Sequence, residues 1–348
     1  MKMLRWLHRW LGIGLGIFVA IVGLTGSWLV FERELAPDFQ LSVASEPLPL
    51  QELYDRARSH LPAETKVSLR FPSKPELPYQ IWTSEKRLVI NQYTGEVLAV
   101  RPVEYWTYGW MFYLHTELLL GKTGKTVGGW LGIGVLLIVV VGVVLWWPKK
   151  WNSALQLRRK HGEIIFWRDL HKQAGALVTP LLLLAVITGV SLSFSEWIRD
   201  TTNHILGYEN AQDAIKPEPI YGTGPAPIDT LAKRADEAMP GGRIGLLIMP
   251  ATPAEPVIVR KQMPQDPHPN GLNFVYLHPI TAEVLKVIPL KEAEPARRWF
   301  NWAYPLHTGQ ALQPWHHWIL MLVGVLPLLL FLSGGYLYLL RKRKLRRI

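Results

Sequence analysis

Four blocks of the chain, 10–31, 127–147, 174–194 and 318–340, run almost without charge. At about 1.5 Å rise per residue each is long enough to cross the roughly 30 Å hydrocarbon layer of a bilayer. Backbone in lipid has no water to bond, so such a block must satisfy its own N–H and C=O groups as a helix. These blocks explain how a chain that is 19% charged can also be 49% apolar. The first is longer than the apolar part of a secretory signal and is followed by no clear small-x-small cleavage site, so it reads as a retained span.

Basic residues in the short flanks set the orientation. Lys2, Arg5 and Arg9 precede the first span; Lys149, Lys150, Arg158, Arg159, Lys160, Arg168 and Lys172 separate the second from the third; Arg341, Lys342, Arg343, Lys344, Arg346 and Arg347 follow the fourth. All three clusters fall on one side of a four-span topology, which marks that side, and both termini, as cytoplasmic. The net charge of +11 then needs no nucleic acid, because a basic tail beside a span is an anchor on anionic membrane lipid. Cysteine is absent, which excludes disulfides, thiolate metal sites and cysteine nucleophiles. Any redox centre must use histidine, methionine or an organic cofactor.

The expected organisation is a first span (1–31), an outer α+β domain (32–105), an interfacial segment with the second span (106–147) and a cytoplasmic loop (148–169). A third span (170–197), a second outer α+β domain (198–298), an interfacial segment with the fourth span (299–340) and the basic tail (341–348) complete it. In the first outer domain, 50–60 reads as an amphipathic helix and 66–71, 79–83, 88–91 and 97–100 as strands; in the second, 228–239 reads as a helix and 244–249, 256–261 and 273–277 as strands.

Spacing points to an internal repeat. Thr25-Gly26 follows His8 at the same offset as Thr188-Gly189 follows His171. Leu114-His115-Thr116 matches Leu306-His307-Thr308, and Gly132 and Gly142 then fall opposite Gly324 and Gly334. The fold class that follows is a membrane α-helical protein of two parallel repeats, each a span, an outer domain, a histidine segment and a second span.

Single histidines at a membrane boundary commonly snorkel to the headgroups. Four at matched positions imply more. Topology pairs His8 with His171 at the cytoplasmic face and His115 with His307 at the outer face. Two neutral imidazoles on facing helices suit the axial positions of haem iron. Gly12 and Gly175, one turn from His8 and His171, would clear room for a flat macrocycle, although small residues also serve plain helix packing. Trp106, Trp110, Tyr113, Trp299, Trp302 and Tyr304 are either walls of an outer site or an interfacial belt. His316 and His317 lack counterparts in the first half and are alternatives to His307. His60, His161, His204, His268 and His278 read as solvated surface residues. No catalytic acid, base or nucleophile constellation is present.

The Leu7-His8-Arg9-Trp10-Leu11-Gly12 run leading to Leu24-Thr25-Gly26, Arg168-Asp169-Leu170-His171 and Leu306-His307-Thr308-Gly309 resemble the PepSY-associated transmembrane family of bacterial inner-membrane proteins. The resemblance covers nearly the whole chain, with Tyr93-Thr94-Gly95-Glu96-Val97 similar to the terminal hairpin of a PepSY module. In length and layout the chain is most similar to the siderophore-iron reductases of that family. The resemblance implies two b haems in the membrane, periplasmic outer domains and a ferric siderophore as substrate, with a quinol or a cytoplasmic reductant as donor. Glu117 departs from the pattern, standing where the motif often has glycine. The alternative expectation is a non-catalytic binding or inhibitory module for an envelope partner, anchored by its spans.

Overall fold

The structure, a computed structural model, describes residues 1–31, 39–43, 46–62, 65–102, 109–148, 156–208, 215–220, 224–312 and 314–345. Trp106, Lys149, Lys150, Arg346 and Arg347 lie outside the described residues. The chain divides into a helical unit (Met1–Leu35, Trp110–Ser195 and Leu306–Ile348) and a sheet unit (Ala36–Gly109 and Glu196–Pro305).

Four helices of the helical unit are long and apolar enough to cross a membrane: α1 (Lys2–Val30), α4 (Gly121–Trp146), α5 (Glu163–Ser193) and α9 (His316–Leu345). All begin earlier than their uncharged blocks, because polar residues at the membrane boundary continue the same backbone hydrogen bonding. Charge matches the helix dipole at two ends, with Glu163 in the first turn of α5 and Lys342, Arg343 and Lys344 in the last turn of α9. Large apolar side chains such as Leu177, Trp130 and Trp318 face outward. That distribution inverts a water-soluble surface and identifies a membrane protein.

With no hydrophobic drive between helices in lipid, close packing of small residues decides which helices meet. Gly23 of α1 and Gly324 of α9 approach so closely that a Cβ on either would strike the other's carbonyl. Beside them Ser27 Oγ donates to the Met321 carbonyl at 3.2 Å. On the α4–α5 contact, a Cβ at Gly129 would meet the Phe194 ring and one at Gly132 would meet Val190.

The sheet unit contains α2 (Leu50–Arg58), β1 (Val67–Arg70), β2 (Tyr79–Trp82), β3 (Lys86–Ile90) and β4 (Val97–Pro102) from the segment between the first two spans. From the segment between the last two come α7 (Ile228–Ala238), β5 (Arg243–Met249), β6 (Val257–Gln262), β7 (Asn273–Leu277) and β8 (Val284–Ile288). The strands read from sequence are present with ends shifted by a residue or two. The two segments expected as two α+β domains share one sheet, ordered β4-β3-β2-β1-β5-β6-β7-β8 and antiparallel throughout. The seam pairs Leu69 with Leu247 and Arg70 with Leu246. Each four-stranded half alone would leave its first strand as an exposed edge, and pairing β1 with β5 covers both.

One face of the sheet carries the larger core, and a smaller cluster of Phe274, Tyr276, Ile288 and Ala293 with Phe300 lies on the other. Leu69, Ile81, Leu88, Ile90, Leu247, Val259 and Val275 are fully buried with Leu53 and Ala57 of α2 and Leu231 and Ala235 of α7. Burying each large aliphatic side chain contributes roughly 1.5–3 kcal/mol. The two helices also cap each other: Asp229 Oδ1 and Oδ2 accept from the Leu50 and Gln51 amides at 2.8 and 2.9 Å, and Gln51 Oε1 accepts from the Ile228 amide at 3.0 Å. Each cap fills an orphan donor at the other helix's N-terminus.

His268 and His278, read from sequence as solvated, are buried, whereas His60, His161 and His204 are exposed. His278 anchors the β7–β8 hairpin, its Nδ1 accepting from the Ile280 and Thr281 amides at 3.2 Å and its Nε2 donating to the Glu218 carbonyl at 2.9 Å. Asn91 does the same for the β3–β4 hairpin, accepting from the Tyr93 amide at 2.9 Å. An imidazole in the place of an asparagine amide hides this likeness from a sequence reading.

Replacing Asp229 with alanine is expected to cost about 1–2 kcal/mol, with faster amide hydrogen exchange across Leu50–Arg58 as the readout. Unchanged exchange in that peptide would show that the interhelical caps do not hold the unit together.

Candidate functional site

Two further helices carry His115 and His307: α3 (Gly109–Glu117) ends just after the first, and α8 (Pro295–His307) ends on the second. Another short helix, α6 (Ser195–Leu206), follows α5 directly. Within the helical unit the structure brings the four histidines selected from sequence together as two pairs. The rings of His8 and His171 have centroids 6.3 Å apart at an interplanar angle of 79°, and those of His115 and His307 are 6.0 Å apart at 44°.

Every ring is held through Nδ1 by a neighbouring helix. His8 Nδ1 lies 3.2 Å from the Ile138 carbonyl of α4. His171 Nδ1 lies 2.8 Å from Ser333 Oγ of α9 and also faces the Leu330 carbonyl. His115 Nδ1 is 2.9 Å from the Val22 carbonyl and 3.2 Å from Thr25 Oγ1. His307 Nδ1 is 3.1 Å from both the Ala185 carbonyl and Thr188 Oγ1. Because carbonyls only accept, Nδ1 carries the proton and the lone pair of Nε2 is left available to a ligand.

The partners keep register. Val22 and Thr25 follow His8 at the same offsets at which Ala185 and Thr188 follow His171. Ile138 stands as far beyond His115 as Leu330 stands beyond His307. Since His8 and the Val22 carbonyl share α1, the two pairs are separated by roughly 21 Å along that helix.

Glycine makes the close approaches possible. A Cβ at Gly26 would stand 2.9 Å from His115 Cε1, and one at Gly189 would stand 2.9 Å from His307 Cε1. At the other end, a Cβ at Gly142 would come to 3.1 Å of His8 Cε1 and one at Gly334 to 3.3 Å of His171 Cε1. The motif glycines Gly26 and Gly189 are therefore ring seats. Sequence spacing aligned these positions but gave no sign that imidazoles lie against them. Gly12 borders open space, and a Cβ at Gly175 would meet only Leu330 Cδ2 at 3.8 Å. Protein packing does not require glycine at either position.

The donor set discriminates among metals. Among the described residues no group of three or more His, Asp or Glu side chains forms a metal cage. Two imidazoles without carboxylates suit an iron whose remaining ligands come from a porphyrin. Two imidazole nitrogens each about 2.0 Å from one metal put ring centroids about 6 Å apart, which both pairs match. A macrocycle also needs space beside its ligands, and the flank of Gly12, one turn from His8, is open.

Near the His8–His171 pair, Asp169 is 5% exposed and is gripped by Arg158 Nε at 2.9 Å and Nη2 at 3.0 Å and by Arg168 Nη2 at 3.0 Å. This fork ties the loop before α5 to the turn that carries His171. At the other pair, Gly309 takes a left-handed φ of 75° after His307. Glu117, at the matching position, stays helical, and the left-handed backbone falls on Leu118 and Leu119 at 50° and 61°. The missing glycine thus displaces the turn, at about 1–2 kcal/mol per residue, while His115 keeps the contacts of its counterpart. His316 and His317 open α9 with rings 3.7 Å apart, His317 stacking on Phe31 at 5.3 Å.

The profile of the family described as the PepSY-associated TM region matches residues 5–341. No curated protein matches the sequence.

Alanine is favoured over glycine in a helix by about 1 kcal/mol, so Gly26→Ala and Gly189→Ala test the ring seats with opposed signs. Each variant is expected to keep or gain helical content while displacing the imidazole seated on it. With haem bound at the pairs, the reduced-minus-oxidised visible spectrum is expected to lose the component of the His115–His307 pair and keep that of His8 and His171. A wild-type spectrum in both variants would show that the seats do not position the ligands.

Proposed function

Because the chain belongs to the PepSY-associated TM region family, we propose that it is an oxidoreductase of the bacterial inner membrane that uses two b haems to reduce a ferric siderophore on the periplasmic side. The observation that carries this reading is the pair of His–His contacts, 6.3 and 6.0 Å between centroids, at opposite ends of one bundle of spans. Haem b bound there supplies one-electron chemistry at a potential set by its axial ligands and surroundings.

The chain's own part is positioning. His8 and His171 would hold the haem at the cytoplasmic end, and His115 and His307 the one at the periplasmic end. Ile138, Leu330, Val22 and Ala185 each lend a carbonyl that fixes the tautomer and raises the basicity of its imidazole. Thr25, Thr188 and Ser333 add hydroxyls at the same nitrogens. Gly12 and Gly175 keep side chains out of the slot. The flanking spans exclude water, and the basic clusters hold the termini in the cytoplasm. In this reading the matched partner spacings reflect two parallel repeats.

Fe(III) in a siderophore is held by hard oxygen donors that bind Fe(II) less well, so one-electron reduction releases the metal. The electron donor is a quinol or a cytoplasmic reductant. No general acid or nucleophile is needed. The rival reading, a binding or inhibitory module for an envelope partner, draws on the separate core of the sheet unit. It makes the spans a mere anchor and predicts that His8→Ala and His115→Ala are silent.

The deciding measurement is the visible spectrum of the full-length protein in detergent before and after dithionite, with haem quantified per chain. The expected result is sharp bands of six-coordinate b haem at two per chain. His8→Ala and His115→Ala are each expected to abolish one component, and Gly12→Leu to lower the His8–His171 component without unfolding the protein. A colourless preparation from haem-replete cells would sink the reductase reading.

A further inference from the structure

The sheet face opposite α2 and α7 has an unusual composition. Successive strand residues alternate faces, so with Leu69, Leu247, Val259 and Val275 in the core, Arg70, Leu246, Arg260 and Phe274 point the other way. These four form one row across β1, β5, β6 and β7, in which Arg70 pairs with Leu246, Leu246 with Arg260, and Arg260 with Phe274.

Two stacks of cations on aromatic rings flank the seam. Trp82 lies between Arg70 and Arg87, whose Cζ atoms are 4.4 and 4.3 Å from its ring centre. Phe274 has Arg297 at 4.4 Å and Arg260 at 5.6 Å. Arg260 donates through Nε and Nη2 to the Gly271 carbonyl at 3.1 and 2.8 Å. Burial draws the pKa of its guanidinium down to about 10, and the charges of Arg70 and Arg297 push the same way. Arg297 is 9% exposed and pairs through Nε with Glu294 at 3.2 Å, yet its buried Nη1 meets no acceptor among the described residues.

His268 adds a neutral donor. Its Nδ1 accepts from the Asn270 amide at 3.2 Å, which puts the ring proton on Nε2, and the ring lies 4.9 Å from that of Tyr304. Burial, then Arg260 and Arg70, holds its pKa down at about 3.

A fold gains little by gathering like charges in a largely buried place and leaving a guanidinium N–H without an acceptor. An oxyanion repays both, since guanidinium groups bind carboxylate-type oxygens through charge-assisted, often bidentate hydrogen bonds. We propose that this face, centred on Arg260 and Arg297 with Arg70 beside them, binds an anionic, oxygen-rich small molecule. Resting on the reductase reading, that molecule is a negatively charged Fe(III) chelate of catecholate or carboxylate type, selected over neutral trihydroxamate chelates. The rings of Trp82 and buried Phe274 hold the guanidinium groups by cation–π contact, and half-buried Trp82 adds apolar surface suited to a catecholate ring.

Equilibrium dialysis of the full-length oxidised protein in detergent tests the site without any reduction step. The probes are the Fe(III) complexes of a hexadentate tris-catecholamide, which is anionic, and of a hexadentate trihydroxamate, which is neutral. The anionic complex is expected to bind more tightly and to weaken as salt is raised. Arg297→Gln and Arg260→Gln are each expected to weaken it roughly tenfold or more, with Arg234→Gln, on the exposed surface of α7, unchanged. Glu294→Gln frees Arg297 and is expected to tighten the anionic complex, a gain that misfolding cannot imitate. Equal affinity for the two complexes, or wild-type binding in Arg297→Gln and Arg260→Gln, would overturn the proposal. Anionic-complex binding without reduction by the haem-loaded protein would support the site and defeat the reductase reading. Reduction of both complexes with no response to Arg297→Gln would defeat the site alone.

Discussion

The helical unit depends on a hydrogen bond that crosses between helices. A carbonyl within a helix already accepts its own i+4 amide, but a second lone pair remains. Val22, Ala185 and Ile138 turn that lone pair toward an imidazole on another helix. In a membrane a polar side chain must find a partner or face hydrocarbon, so the bond both satisfies the histidine and fixes its ring. Gly26, Gly189, Gly142 and Gly334 are required by the same bond, because the rings lie against helix backbone where a Cβ would intrude.

The sheet unit rests on a different constraint, the need to cover strand edges. Joining β1 to β5 turns two four-stranded pieces into a sheet with a continuous core on one side. Asp229 and Gln51 reinforce this, since each helix's cap resides on the other helix. The same seam has a chemical result on the opposite face. Arg70 of the first segment and Arg260 of the second become neighbours in one row, with only Leu246 between them.

Much of the molecule is legible in the sequence because the signals are periodic and local. A span needs only length and lack of charge, and the strands β1 to β7 follow alternation bounded by turn residues. The histidine pairs follow from topology and spacing, since residues at matched offsets along the spans fall at matched depths. His268 and His278 escape such a reading for the complementary reason. A histidine in a loop looks the same in sequence whether it meets water or, like His278, two backbone amides and the Glu218 carbonyl.

Four spans, two inter-span segments of helix followed by strands, and four histidines at equivalent positions all follow from the chain read end to end. Hydrophobic length, alternation and spacing carry that information. Folding adds the rest: the two segments share a sheet, each imidazole leans on a glycine, and the arginines stack around Trp82 and Phe274. Those outcomes depend on strand register and helix approach between residues far apart in the chain. Such pairings are set by which surfaces fit once folded, and no local pattern records them.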